Sequence, residues 1–536
     1  MNMFKKIMLG AALMFAFSAS AQKNPATGLN GLTAKKGTLT EKQLQRWSHL
    51  DLATDTIPGM SVDRAHELLK NKKGTKVIVG VIDSGVDIEH EDLKDVIWKN
   101  TKEIAGNGID DDKNGYVDDI HGWNFLGDAT KENLEMTRML KKPDDGSAEY
   151  KRAKEAYEKQ YQKAMGGKQQ VDFIMQAHNA IVDHLKKPNY TVEDLKKIET
   201  TDQNLLRSKM VMTQIAGQVG EGFVEEITGF KDHIYDMLNY NLNKDFDGRK
   251  LVGDNPNDIN DRKYGNNNVI GPDKEEAMHG THVSGIIAQG RNNNIGGDGV
   301  ANNVEIMALR AVPNGDEYDK DIALAIRYAV DNGAKVINGS FGKSFSPQKQ
   351  WVFDAIKYAE SKDVLIVHAA GNDGLDIDKD ENRNYPNDSE DNKTEIAGNF
   401  LSIGALGKTY DQNMVAEFSN YGSFNVDVFA PGMEIYATVP NNKYKFEQGT
   451  SMASPNAAGV AALVRSYYPN LSARQVKQIL VESGTAVTNE VVLGETQEKR
   501  PFAKASKGGR IVNAYNALVM AEKMSKTKLP ANKIKG

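Results

Sequence analysis

Five short runs rich in Val, Ile and Leu, at residues 76–82, 304–309, 335–337, 364–367 and 401–404, constrain the fold more than any other feature of this chain. Each run is nearly continuous in apolar character, so a strand built from it must be covered on both faces. Buried parallel sheets have that property. Amphipathic stretches lie between the runs. In 321–330, Ile322, Leu324, Ala325 and Tyr328 share a helical face, and 348–360 follows the same period. Strand–helix alternation with short Gly- and Asn-containing connections predicts an α/β fold: a doubly wound, mostly parallel sheet with helices on both faces. Ligands of such sheets sit beyond the carboxyl ends of the strands. Asp83, residues 338–342 and Asn372 fall there.

One segment departs from this alternation. Residues 131–243 carry almost no strand signal and much Lys, Glu, Gln, Ala and Met at helical period. Phe173, Ile174, Ala177, Ile181 and Leu185 are expected on one buried face, and Thr191 with Asp194 resembles a capping box. The segment reads as an all-helical insertion.

The N-terminus reads as a targeting signal. Lys5 and Lys6 precede an apolar stretch at 7–17, which ends in Ser18-Ala19-Ser20-Ala21. The apolar stretch is too short for a membrane span, which takes about 20 residues, and matches a signal peptide cleaved after Ala21. The expected organisation is a signal peptide at 1–21, a polar leader at 22–75, the α/β domain in two pieces at 76–130 and 244–524, the helical insertion at 131–243 and a basic tail at 525–536. No later stretch predicts membrane insertion, so the protein is expected to be exported, to the periplasm or beyond the cell. With 67 basic against 73 acidic residues, the chain has no electrostatic footprint for nucleic acid. The absence of Cys excludes disulfides, thiolate metal sites and cysteine nucleophiles.

Three Gly-flanked motifs carry chemistry. Val81-Ile82-Asp83-Ser84-Gly85 places a carboxylate at a strand exit. His279-Gly280-Thr281-His282 opens a helix, and Gly449-Thr450-Ser451-Met452-Ala453-Ser454-Pro455 puts a hydroxyl at the start of another. Taken singly, each has a plain structural reading as a cap or turn. Together they meet the need of a serine nucleophile for a histidine base whose tautomer is fixed by a buried acid.

In the order Asp…His…Ser, and with these flanks, the sequence resembles the subtilisin-like serine peptidases from about Lys76 to Ala521, the insertion excepted. The resemblance implies that Asp83 orients the base, His279 acts as general base and then general acid, and Ser451 is the nucleophile. It implies a structural role for His282. Asn372, in Ala369-Ala370-Gly371-Asn372, corresponds to the oxyanion-hole asparagine, acting with the Ser451 N–H. Ser340, Phe341 and Gly342 correspond to the edge that pairs with an extended peptide, and Asn384 to the floor of the side-chain pocket, where the family often has Gly. Asp83 and His279 stand 196 positions apart, far more than a minimal subtilisin needs, and the excess is the helical insertion with its acidic flanks.

Metal binding is expected in three places, one of them weaker. Asp110, Asp112, Asn114 and Asp118 alternate oxygen side chains around Gly115, a pattern suited to Ca²⁺, although His121 stands where an EF-hand has its bidentate Glu. A weaker cluster is Asn243, Asp245 and Asp247. The family resemblance adds a calcium site at Asp92 and Asn293. The expected function is a secreted serine endopeptidase with polypeptide substrates and structural Ca²⁺. A non-catalytic peptide-binding module and a peptide ligase or cyclase stand as alternatives, and the oligomeric state is left open.

Overall fold

The computed structural model describes residues 38–494 and 496–526. The expected signal peptide and nearly all of the basic tail lie outside them. The described residues form two compact units, Lys131–Asp247 and a larger unit made from the segments on either side. Residues 244–247 therefore group with the helical segment.

The larger unit contains β1 Val77–Asp83, β2 Gly122–Asn124, β3 Val304–Arg310, β4 Val336–Gly339, β5 Leu365–Ala369, β6 Phe400–Leu406, β7 Val428–Pro431, the hairpin β8 Ile435–Val439 and β9 Lys443–Glu447, then β10 Thr485–Ala486, the hairpin β11 Glu490–Leu493 and β12 Glu498–Pro501, and β13 Arg510–Ile511. Among the described residues, nine of these strands form one sheet in the order β10-β13-β7-β6-β5-β4-β1-β3-β2. Every neighbour pair is parallel except β10 with β13. The short strands β2, β10 and β13 carry too few residues to stand out in sequence.

The principal helices are α1 Val62–Leu69, α2 Ala148–Leu185, α3 Gln203–Val219, α4 Phe223–Asp236, α5 Met278–Ala288, α6 Asp319–Asp331, α7 Lys349–Ser361, α8 Thr450–Tyr467, α9 Ala473–Ser483 and α10 Ala514–Lys526. Period-two alternation divides the apolar residues of the sheet between two layers. Val77, Val79 and Val81 of β1 face a cluster that includes Val283, Ile286 and Ile287 of α5 and Val460, Leu463 and Val464 of α8. Ile78 and Ile82 face the other, with Ile322 and Leu324 of α6 and Phe353 and Ile356 of α7. The strand order reverses at β1, whose neighbours are β3 on one side and β4 on the other. Asp83 ends β1 and Ser340 follows β4, so both lie at the switch point where such sheets open a crevice.

The described part of the stretch expected to be a polar leader contributes to the core. Trp47, Leu52, Ile57, Met60, Val62, Ala65 and Leu69 enter the first cluster. The Trp47 indole donates to the Met433 carbonyl at 3.1 Å. Several of these residues precede α1 at irregular spacing, and only packing gathers them on one side.

In Lys131–Asp247, α2, α3 and α4 surround a separate core of Val171, Ile174, Ile181, Met212, Phe223, Ile227 and Phe230. Phe173 is 59% exposed, against the expectation that it shares the buried face. Val171 takes that place, because the 171–174–177–181 ladder is one helical stripe and Phe173 lies off it. Thr191 and Asp194 do form a capping box. The two ends of the unit meet, with the Leu134 N–H donating to the Asn241 carbonyl at 3.0 Å and Asn133 Nδ2 to the Asn243 carbonyl at 3.0 Å.

Candidate active site

Asp83 is 1% exposed at the exit of β1. Its Oδ1 accepts from the Ser84 N–H at 2.8 Å and from Nδ1 of His279 at 2.7 Å. This pairing selects the tautomer in which Nδ1 carries the proton and Nε2 is left as the base. His279 is the second residue of α5, brought close by glycines: a Cβ on Gly280 would lie 2.1 Å from the Gly85 carbonyl oxygen. Gly85 itself has φ +123°. Burial disfavours the imidazolium, but the charge and hydrogen bond of Asp83, aided by Glu447, outweigh it and raise the His279 pKa above the ordinary value. The side chain remains 36% exposed. His282, on the same helix, is fully buried, contacts the Ile435 and Lys445 carbonyls through Nε2, and is pushed by burial down to about 4. It is neutral at physiological pH and belongs to the packing of the β8–β9 hairpin.

Ser451 is the second residue of α8, among the first-turn N–H groups that no helix carbonyl can satisfy. Its Oγ donates to the Ser340 carbonyl at 3.2 Å rather than to His279, and Ser340 Oγ donates to the Ser451 carbonyl at 2.9 Å. Helices α5 and α8 pack on one another. Nucleophile–base hydrogen bonds are commonly loose in free enzymes and tighten with substrate. Asn372 lies three residues beyond β5. Its Oδ1 accepts from the Thr450 N–H at 2.8 Å and from Thr450 Oγ1 at 2.9 Å, which fixes the amide plane and leaves Nδ2 as a donor beside the helix start.

Ser340, Phe341 and Gly342 run on from β4. The Lys343 backbone pairs with Tyr385 through two 2.9 Å hydrogen bonds, which closes this edge just past Gly342. Phe341 packs edge-on against His368 at 5.7 Å. A Cβ on Gly342 would stand 2.9 Å from Asn384 Oδ1, and Asn384 Nδ2 donates to the Ala370 carbonyl at 3.2 Å. A polar chain missed in the sequence analysis lies beneath: Ser454 Oγ donates to Asn338 Oδ1 at 2.7 Å, and Asn338 Nδ2 to Ser340 Oγ at 3.0 Å. Its one sequence signal is that Ser454 lies a helical turn after Ser451.

The acidic loop is sorted differently from its spacing. Asp110 and Asp112 come together with Glu103, their carboxylate oxygens all within 4.8 Å of one another. The Asp118 carboxylate instead accepts from the Asn107 and Gly108 N–H groups, and Asn114 Oδ1 from the Tyr116 N–H. Glu103 was missed because it lies outside any ligand spacing. Asn293 Nδ2 donates to Asp92 Oδ1 at 2.6 Å, and the Gly290 N–H to the same oxygen at 2.9 Å. Asp92 Oδ2 is buried without a hydrogen-bond partner. An anionic oxygen so placed, beside an Asn- and Gly-rich loop, fits a hard cation such as Ca²⁺. Asn243 Oδ1 is taken by the Asp245 N–H. Nearby Asp254 is neutralised by Arg249 at 2.6 Å and by Lys320.

The "Subtilase family" model matches residues 74–500. The chain is 43% identical over 189 residues to "Thermophilic serine proteinase" of Bacillus sp. (strain AK1), a match covering 35% of this chain and 42% of that protein. It is 33% identical over 307 residues to "Subtilisin-like protease 1" of Plasmodium falciparum, covering 54% and 42%. The chain thus spans less than half the length of these two relatives. With "Subtilisin DY" of Bacillus licheniformis it shares 34% identity over 220 residues, covering 40% of this chain and 74% of that one. With the family model running through most of the parallel sheet and both helices that bear His279 and Ser451, this chain belongs to the subtilase family.

Proposed function

We propose that the chain is a secreted serine endopeptidase that cleaves polypeptides through an acyl-enzyme. Ser451 Oγ attacks the scissile carbonyl carbon while its proton passes to His279 Nε2, and Asp83 stabilises the imidazolium. The negative charge that develops on the carbonyl oxygen is met by Asn372 Nδ2 and the Ser451 N–H. Collapse of the tetrahedral intermediate gives the proton from His279 to the leaving amine. Water then releases the acyl group by the same steps in reverse. For the attack, the Ser451 hydroxyl leaves the Ser340 carbonyl and turns to His279. The Ser340–Gly342 edge holds the substrate as an added strand, with Asn384 at the side-chain pocket.

The observation that carries this reading is the 2.7 Å Nδ1–Oδ1 bond between His279 and Asp83, which poises Nε2 as a base. Export rests on the signal-like residues 1–21. Among the described residues, no helix is long and apolar enough to cross a membrane. Ca²⁺ belongs to the same reading, held by Asp92 and Asn293, with Glu103, Asp110 and Asp112 as a second holder. Bound there, it supplies charge neutralisation and loop rigidity, not chemistry at the scissile bond.

The test is the purified Ser451→Ala variant against wild type on a denatured protein substrate, together with labelling by a serine-directed phosphonate. Wild-type cleavage that vanishes in the variant, with label on Ser451, is expected. Equal cleavage by both proteins refutes the reading. Product analysis with added amine acceptors separates hydrolysis from ligation.

A further inference from the structure

Arg310 is an arginine at 2% exposure, the last residue of β3, directly opposite Asp83 in the β1–β3 register. Its guanidinium meets only neutral oxygens. Nε donates to the Ser84 carbonyl at 3.1 Å, Nη1 to Asn124 Oδ1 and the Gly127 carbonyl at 3.0 Å each, and Nη2 to the Ala129 carbonyl at 2.7 Å. Among the described residues it has no ion-pair partner within contact, and the acidic groups that favour its charge, Glu276 and Asp128, act from a distance. A buried cation without a contacting anion is costly, and an apolar side chain would fill the same space more cheaply. The position therefore calls for what the planar fork alone provides, several donors at fixed angles.

While the Nη nitrogens fix Asn124 and the Gly127 and Ala129 carbonyls, Nε holds the residue after Asp83. Ser84 is gripped at three points: its carbonyl by Arg310, its N–H by Asp83 Oδ1, and its hydroxyl by the Gly280 N–H at 3.4 Å. The same Asp83 oxygen accepts from His279. On the far side, Gly271 lets the chain pass over the guanidinium, since a Cβ there would stand 2.6 Å from Arg310 Nε. We propose that Arg310 is a positioning residue for the Asp83–His279 pair, clamping the Ser84 turn so that the carboxylate stays within hydrogen-bond reach of the imidazole. The inference rests on the peptidase reading above for its kinetic consequence, but the clamp can be measured without it.

The test is Arg310→Lys, which keeps the charge and loses the fork. The expected result is a kcat lower by about tenfold or more, the order of loss from misplacing a reacting group by under an ångström, with KM within about twofold. The downfield proton resonance of His279 Nδ1–H should broaden or move upfield in the free protein. A purely architectural role predicts a lower melting temperature, with kcat measured well below it, and the proton resonance, both unchanged. That outcome overturns the proposal. If Arg310→Lys does not fold, Arg310→Gln is read the same way. Failure of both to fold, while Asp83→Asn folds, also overturns it. Wild type lacking Ser451-dependent cleavage would refute the peptidase reading alone, because the proton resonance still reports on the clamp.

Discussion

The proposed mechanism gives Asn372 two separable jobs, and one pair of variants can divide them. Its Oδ1 accepts two hydrogen bonds from Thr450, which is fully buried at the start of α8, while its Nδ2 is the donor that the proposed mechanism assigns to the oxyanion. Asn372→Ala removes both functions. Leaving the Thr450 N–H and hydroxyl without their acceptor costs about 1–3 kcal/mol, the low end applying if water enters the vacated space. Losing the oxyanion donor costs about 2.7–4 kcal/mol in the transition state, or 10²–10³ in kcat, a range measured on subtilisin itself and hence borrowed from a relative. Asn372→Asp keeps an oxygen for Thr450 and replaces the donor by a second anionic oxygen. It should therefore lose at least as much kcat while keeping a melting temperature near that of wild type. The assays are initial rates on a peptide substrate and thermal unfolding followed by circular dichroism, each on both variants. KM should change little, because the interaction strengthens only as charge develops. Asn372→Asp retaining kcat within tenfold of wild type would refute the oxyanion assignment. Equal loss of stability in the two variants would refute the assignment of Oδ1 as the anchor of α8.

The remaining expectations concern charge, metal and the insertion. Because His279 titrates above its ordinary value and must be neutral to accept a proton, kcat/KM should fall on acidification through a limb lying above pH 6.5. The stability that the imidazolium gains from Asp83 has the opposite sense: it is full below about pH 6.5 and is lost as pH rises through the folded-state pKa. A limb at or below pH 6.5 in wild type would contradict the stated balance of charges. Chelation should lower the wild-type melting temperature, since a ligand held at about 100 times its Kd adds roughly 2.7 kcal/mol. Asp92→Ala should be less stable to begin with, and its melting should lose the part of that response supplied by the Asp92 site, the Glu103–Asp110–Asp112 site supplying the rest. Residues 131–247 expressed alone should fold into a helical unit with a cooperative thermal transition, because they possess a core and their two ends are already joined by hydrogen bonds. A non-cooperative melt of that fragment would show that the core is insufficient.

How much of this was legible in the chain depends on whether the responsible interaction is local. The five consecutive strands β6-β5-β4-β1-β3 and the helices between them could be read because burial on both faces leaves an unbroken apolar run, and burial on one leaves a 3.6-residue stripe. The three Gly-flanked motifs could be read because close approach of backbones demands glycine at fixed offsets, as at Gly85 and Gly280. Phe173 was misplaced because neighbouring positions on a helix differ by a fraction of a turn, and only the partner helices decide which stripe is covered. Trp47, Ile57 and Met60 went unread as core because they are scattered through a polar stretch, and β2 and β13 because two or three residues carry no period.

From its residues alone this protein declared its fold class, its family and the Asp…His…Ser order on which the peptidase proposal rests, since each is written in short-range chemistry. Tertiary structure decided which groups come together: Glu103 beside Asp110, Ser454 and Ser340 on the same Asn338, Arg310 opposite Asp83, and the Ser451 hydroxyl on the Ser340 carbonyl. Those pairings join positions up to hundreds of residues apart. Their strength depends on distance and desolvation in the folded chain, and neither quantity exists until the sheet has brought the strand ends together.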